Sequence, residues 1–381
     1  MNNSKIWLSS PHMGGNEQKY VQEAFDTNWV APLGPNVNGL EQDLESYLGA
    51  NAHVGALSSG TAAIHLGLIL LGVQAGDTVI CQSMTFSASA NPILYLGATP
   101  IFIDSEPETW NLCPIALEQA IVASIANAQK PKAIIAVHLY GVPYKVDEIH
   151  AIADKYQIPV LEDSAEALGS SYKQQKCGTF GDIGVLSFNG NKIITTSGGG
   201  AIVAKTKDLK EKAIFYATQS RDAAPHYQHS HIGYNYRMSN ICAGIGRGQM
   251  EVIDHHVNLR RQMHAFYVDL FQNIAAVTVF TTPESNSFAN YWLSAIVVTP
   301  DVDKGITAEA LRLALEAANI ESRPLWKPMH LQPIFESYPY YGTTISEQLF
   351  ANGLCLPSGS NLTDLERERI KKAVFGFFEP K

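Results

Sequence analysis

Cysteine is scarce in this chain and poorly arranged for bonding. The five residues, Cys81, Cys113, Cys177, Cys242 and Cys355, are odd in number, scattered, and contain no CxxC pair. That argues against a disulfide framework and a zinc site, and it fits a reducing cytoplasm. Long apolar runs are missing too. The best stretch, 62–73, is short and contains His65, so it reads as a buried helix and not as a bilayer span. The N-terminus, Met1-Asn2-Asn3-Ser4-Lys5-Ile6, lacks the apolar core of a signal peptide. Positive charge is in deficit, with 27 Lys and Arg against 36 Asp and Glu, a net charge of −9. This gives no general attraction to nucleic acid or to an anionic membrane, although it leaves room for a local basic pocket facing a phosphorylated substrate. There is no Walker GxxxxGK[ST] run and no GxGxxG after a strand, so nucleotide-triphosphate and dinucleotide folds lose support. His226, His229 and His231 match no zinc spacing and have no cysteine or carboxylate among them, so no metal is expected. No internal repeat or low-complexity linker is visible.

What is present is a globular composition, 46% hydrophobic and 17% charged over 381 residues. That length suggests one large domain followed by a smaller one, taken as 1–250 and 251–381. After an extended start, 16–28 reads as a helix, and Asn36 or Asn38 is placed to cap a helix running to Leu48. A rhythm then sets in. Strands are expected at 53–57, 78–82, 100–104, 132–138 and 159–162, alternating with helices at 61–71, 87–96, 114–128 and 146–156. Such alternation means an α/β fold with a mostly parallel sheet covered on both faces. The segments 183–188 and 200–204 read as strands with no helix between them, which predicts an antiparallel or mixed section. A helix at 209–217 and a polar, histidine-rich loop at 225–236 follow. One long helical pattern over 239–271 leads into a smaller α+β domain, with strands near 293–298 and 320–324 and a last helix at 363–377.

Ligands in such sheets sit at the carboxyl ends of the strands, and the chemistry-bearing residues cluster there. Lys192 stands in the small, polar loop Ser187-Phe188-Asn189-Gly190-Asn191-Lys192, just before Gly198-Gly199-Gly200. A lone lysine in that setting is where a Schiff base to pyridoxal phosphate can form. Asp163 directly follows a buried strand and can keep a pyridine nitrogen protonated, so that the ring accepts electrons from a substrate carbanion. Ser58-Ser59-Gly60-Thr61 ends a strand and opens a helix, a natural phosphate seat of free N–H groups and helix dipole. Phe86, at the next strand end, can stack on a flat ring. Each feature has an ordinary alternative as a solvated lysine, a turn carboxylate, a Ser/Thr cap or a core aromatic; their company favours the cofactor.

Five ordered blocks carry a wider resemblance: Pro11-His12-Met13-Gly14-Gly15-Asn16-Glu17, Ser59-Gly60-Thr61-Ala62-Ala63, Glu162 to Gly169, Ser187 to Lys192, and Gly233-Tyr234-Asn235-Tyr236-Arg237-Met238-Ser239. Over nearly the whole chain the sequence resembles the DegT/DnrJ/EryC1/StrS family of pyridoxal phosphate-dependent sugar aminotransferases. The resemblance implies a fold type I (aspartate aminotransferase-like) architecture and a homodimer with active sites at the subunit interface. It assigns Lys192 the Schiff base and proton transfer, and Asp163 the pyridinium nitrogen. Phe86 would stack on the ring. Gly60, Thr61 and Ser187 would line the phosphate, and Asn235 would arrive from the partner subunit. Position 166 is often glutamine or histidine in the wider family, so Glu166 suggests a subgroup.

Within the family, the segments from His12 to Glu17, from Asn189 to Gly200 and from Arg323 to His330 look like the C4 aminotransferases of the bacillosamine pathway. Those enzymes convert UDP-2-acetamido-2,6-dideoxy-4-hexulose to its 4-amino sugar with L-glutamate as donor. Arg237, Arg323, Trp326, Lys327 and His330 are the corresponding candidates for substrate binding, with guanidinium suited to phosphate and indole to stacking. A GDP- or dTDP-linked 4-ketosugar, a C3-ketosugar, and a pyridoxal phosphate-binding relative without catalysis are the competing readings. Relatives that dehydrate at C3 replace the lysine by histidine, so Lys192 speaks against that chemistry.

Overall fold

The computed structural model describes residues 4–49, 51–282 and 286–379. Two helices, α1 (Glu17–Asp26) and α2 (Pro35–Leu48), precede the first strand. The expected rhythm then follows: β1 (His53–Leu57), α3 (Gly60–Leu70), β2 (Thr78–Gln82), α4 (Ser87–Tyr95), β3 (Thr99–Ile103), α5 (Pro114–Ala126), β4 (Ala133–Val137), α6 (Val146–Tyr156) and β5 (Val160–Asp163). Boundaries differ from the expectation by a residue or two, as fraying ends allow. A short hairpin, β6 (Ser171–Tyr172) and β7 (Gln175–Lys176), leads to β8 (Ile183–Ser187), β9 (Gly200–Ala204) and α7 (Lys207–Ala217).

The large sheet has eight strands among the described residues, in the order β1-β9-β8-β5-β4-β2-β3 with a late strand, β14 (Tyr340–Tyr341), on the edge. Neighbours from β8 through β5, β4, β2 and β3 pair in parallel, whereas β9 is antiparallel to both β8 and β1. The mixed section therefore lies where no helix separates β8 from β9. Successive side chains on a strand point to opposite faces. Val79 and Cys81 of β2 join one apolar cluster with Leu66 and Ile93, while Ile80 joins the other with Leu117 and Ile149. The sheet is thus covered by helices on both sides, and its inner strands are buried along their whole length.

Two expectations change. The helical pattern over 239–271 is two helices, α8 (Asn240–Met250) and α9 (Ile253–Phe271), with a break at Glu251 and Val252. Helix α8 is held close to α1: a Cβ on Gly248 would lie 2.6 Å from the Glu17 nitrogen. α9 starts anew toward the second sheet, and the apolar spacing that runs through both helices hides the junction. The cap of α2 is also not local. Pro35 takes the first helical position, and the carboxamide of Asn240 accepts the N–H groups of Asn36 (2.9 Å) and Val37 (3.3 Å).

The second sheet is antiparallel and runs β10 (Val277–Val279), β12 (Ser294–Val298), β15 (Gly353–Leu356) and β13 (Arg323–Pro324). The strand β11 (Ser287–Phe288) pairs instead with β6. Helices α10 (Ala308–Ala317), α11 (Ile345–Asn352) and α12 (Asp364–Phe378) accompany this sheet, the last opened by a capping box of Thr363 and Glu366. Ile6 is fully buried in the same cluster as Leu311 and Val374, and β14 pairs in parallel with β3. The N-terminal segment therefore joins the core of the second sheet, and β14 returns from the second sheet to the edge of the first.

Candidate active site

At the carboxyl edge of β5 and β8, where α3 and α4 begin, a cavity of about 570 Å³ opens. Gly60, Thr61, Phe86, Asp163, Glu166, Ser187 and Lys192 all line it, and Arg323 of β13 with Trp326 and Lys327 just after it join them. Asn235, Arg237 and His330 are not among its lining residues.

Asp163 is the last residue of β5 and is 4% exposed. Its Oδ2 accepts the Ser89 hydroxyl at 2.7 Å, and its Oδ1 accepts the Ala165 N–H at 3.1 Å. The hydroxyl of Ser89 also meets that of Thr85 at 2.7 Å. The carboxylate is thus fixed by α4 and by its own turn, on a strand with parallel neighbours on both sides. At the start of α3, the Ser59 hydroxyl accepts the Ala62 N–H at 3.0 Å. The Gly60 and Thr61 N–H groups of that first turn have no intrahelical acceptor and lie at the cavity, an arrangement suited to an anion. Gly200 makes this seat possible, because a Cβ there would lie 2.4 Å from the Gly60 nitrogen. Phe86 is 56% exposed at the cavity and sits 5.7 Å from the Trp326 ring.

The amine of Lys192 lies 3.1 Å from Glu166 Oε1, and the two side chains are 12% and 4% exposed. Glu166 Oε2 accepts the Tyr140 N–H at 2.7 Å. Tyr140 holds a left-handed backbone at φ 54° and ψ 20°, a conformation costly for a bulky residue and often found beside functional sites. Burial pushes the Glu166 carboxyl up to about 7, with the neighbouring Lys192 ammonium partly opposing the rise. Lys192 Nζ also sits 4.0 Å from the centre of the Trp292 ring.

The remaining candidates lie elsewhere. Arg237 is tied to Glu41 Oε1 at 2.6 Å and to the Ala56 carbonyl at 2.9 Å. Asn235 is exposed and pairs by backbone with Thr218. His330 is stacked on Tyr340 with ring centres 3.7 Å apart, and its Nδ1 is 2.7 Å from the Ser83 hydroxyl. The histidine-rich loop folds back on α7 and the turn after it: His231 meets the Phe215 and Tyr216 rings, Asp222 accepts from Gln228 and Ser230, and His229 meets the Gln219 carbonyl.

One buried trio has the composition of a metal site: His138, Glu162 and Cys177. Its donors are already engaged. Glu162 accepts the N–H groups of Gly178, Phe180 and Gly181, the Ser164 hydroxyl, and His138 Nε2 at 2.7 Å. His138 Nδ1 accepts the Tyr144 N–H at 3.2 Å, which places the ring proton on Nε2, facing the carboxylate. The cluster anchors the turn before β8.

Sequence reasoning missed Trp292, Tyr140 and Ser89. Trp292 donates its indole N–H to the Asn191 carbonyl at 2.6 Å across a separation of 101 residues. No spacing rule connects them; the one available signal was an indole standing directly before an expected strand.

The sequence model of the DegT/DnrJ/EryC1/StrS aminotransferase family matches residues 11–375. The chain is 49% identical to EpsN of Bacillus subtilis (strain 168) over 98% of this chain and 96% of that protein. It is 37% identical to the GDP-perosamine synthase of Escherichia coli O157:H7 over 99% of both. A crystal structure of a DegT DnrJ EryC1 StrS aminotransferase from Brucella abortus superimposes with a TM-score of 0.88 at 28% identity, covering 96% of each chain.

Proposed function

Because the chain belongs to the DegT/DnrJ/EryC1/StrS aminotransferase family, and is therefore a pyridoxal phosphate-dependent sugar aminotransferase of fold type I, we propose that it moves the amino group of L-glutamate to C4 of UDP-2-acetamido-2,6-dideoxy-4-hexulose. The observation that carries the reaction type is the convergence of Lys192, Glu166 and Asp163 in one cavity with the free N–H groups of α3. Pyridoxal phosphate, when bound, supplies the aldehyde that carries nitrogen between two substrates and the ring that accepts the carbanion's electrons.

The residues fit that group. The first turn of α3, with Ser187 beside it, would hold the phosphate. The buried Asp163 carboxylate would pair with the ring nitrogen and favour its protonated form. Phe86 would stack on the ring. Lys192 would hold the cofactor and, once freed, its Nζ would carry the proton taken from the amino acid's α-carbon. Glu166 accepts or returns a proton at Lys192 Nζ, which a carboxyl titrating near neutrality does most readily. In the first half glutamate's nitrogen is exchanged for the oxygen of one water and 2-oxoglutarate departs; in the second the sugar's carbonyl oxygen leaves as water.

At the mouth, Lys327 is half-buried and forms no ion pair among the described residues, which suits it to an anionic sugar nucleotide. Arg323 is already held by Glu321 at 2.8 Å. The exposed Asn235 supports a homodimer in which this residue enters the partner's site, and the scattered cysteines support a cytoplasmic setting.

A second reading is favoured by one observation: three relatives at 37%, 35% and 32% identity are GDP-perosamine synthases. The acceptor is then a GDP-linked 4-keto-6-deoxyhexose. The protein, loaded with pyridoxal phosphate and given glutamate and a panel of UDP-, GDP- and dTDP-linked 4-keto and 3-keto sugars, distinguishes them. 2-Oxoglutarate release with a UDP-linked 4-amino product by NMR supports the first reading; turnover with the GDP-linked sugar alone replaces it.

A further inference from the structure

Arg260, on α9, is 1% exposed, and its guanidinium meets no carboxylate among the described residues. One Nη donates to the Trp292 carbonyl at 2.6 Å and to the Ser358 carbonyl at 3.3 Å. The other donates to the Ser9 hydroxyl at 3.0 Å and to the carbonyl of Lys192 itself at 3.2 Å. The Nε is buried without a partner. A charge buried without a counter-ion is costly, and a leucine or methionine would fill the same space at less expense. What the guanidinium does that they cannot is grip several acceptors in a fixed planar fork.

Those acceptors are not random. The Trp292 ring lies under Lys192 Nζ, and its indole N–H holds the Asn191 carbonyl. The Ser9 hydroxyl donates to that same Asn191 carbonyl at 2.7 Å. The main chain of Asn191 and Lys192 is therefore clamped from three directions, with Arg260 binding the clamps to each other.

We propose that Arg260 is a positioning residue for Lys192, its buried guanidinium fixing the lysine's main chain and the Trp292 floor together so that Nζ stays aimed into the cavity. The inference rests on Lys192 being the residue that captures the cofactor. Misplacing a reacting group by an ångström costs orders of magnitude in rate, whereas binding of a ligand held elsewhere in the cavity is unaffected.

The test uses the full-length apo-protein and two probes. Pyridoxal 5′-phosphate is added, quenched with borohydride over time, and the reduced adduct is mapped by peptide analysis. Pyridoxamine 5′-phosphate, which has no aldehyde, measures the cavity's affinity without Lys192. For Arg260→Lys, adduct formation at Lys192 should slow about tenfold or more while pyridoxamine 5′-phosphate binding stays close to wild type. An adduct rate equal to wild type overturns the inference. So does a parallel loss of pyridoxamine phosphate affinity, which marks a general structural role. If Arg260→Lys does not fold, Ser9→Ala decides: a slower adduct with unchanged pyridoxamine phosphate affinity supports the clamp, and a wild-type rate overturns it. Failure of the wild-type protein to form any adduct at Lys192 would instead overturn the proposed function.

Discussion

Lys192 Nζ and Glu166 Oε1 lie 3.1 Å apart inside a cavity that nearly excludes water from both. Glu166 has no counterpart in an ordinary surface ion pair, because burial raises its carboxyl from 4.5 to about 7 even with the ammonium beside it. Two measurable consequences follow from this one contact.

The first is in stability. Between about 4.5 and about 7 the folded apo-protein keeps a proton on Glu166 that the unfolded chain has released. The unfolded state binds fewer protons there, so this group's contribution to stability falls as pH rises through that window and is flat above it. Glu166→Gln has no proton to lose. Urea unfolding of both apo-proteins across this range should show wild type losing stability relative to the variant as pH rises. A difference independent of pH contradicts the raised carboxyl.

The second is in rate. The glutamate half-reaction of the wild-type enzyme should show a pH inflection set by Glu166, whose carboxyl burial raises. Glu166→Gln should lose that inflection and slow by about 10²- to 10⁴-fold, the usual contribution of a positioned acid or base. Stopped-flow absorbance of the bound cofactor reads both.

How far the sequence alone reached depends on distance along the chain. Asp163 ends β5 and Lys192 stands in the loop between β8 and β9, so local pattern singled them out, and the β/α alternation predicted where those strands would open. The mixed section at β8 and β9 was legible from the missing helix. What was not legible is held by partners remote in sequence. The Asn240 carboxamide caps α2 from 204 residues away, and Trp292 reaches Asn191 across 101. The junction between α8 and α9 was hidden for another reason: neither Gly nor Pro marks Glu251 and Val252, and the break is imposed by packing on α1.

At the cavity mouth, two cations should behave differently. Arg323 already forms a surface pair with Glu321, and such pairs contribute little. Lys327 has no such partner among the described residues. Lys327→Ala should raise the KM for the sugar nucleotide about tenfold, as loss of one charged hydrogen bond does, with kcat little changed. Arg323→Ala should have the smaller effect. Steady-state kinetics at saturating glutamate separate the two, and the reverse order would move the anion's place to Arg323.

The remote cap is also testable. Asn240→Ala removes the acceptor for two N–H groups of α2 and should cost about 1–2 kcal/mol. Chemical denaturation should show a lower midpoint with an unchanged slope. A midpoint equal to wild type would mean that water replaces the carboxamide.

The central claim is that Lys192 is the group that captures the cofactor and moves the proton. A single-turnover reaction of the loaded enzyme with glutamate tests it most directly. Wild type should release 2-oxoglutarate in stoichiometric amount as the cofactor's visible absorbance converts to that of pyridoxamine phosphate. Lys192→Ala, loaded to the same extent, should show no conversion on that timescale. Conversion by Lys192→Ala at the wild-type rate would contradict the account.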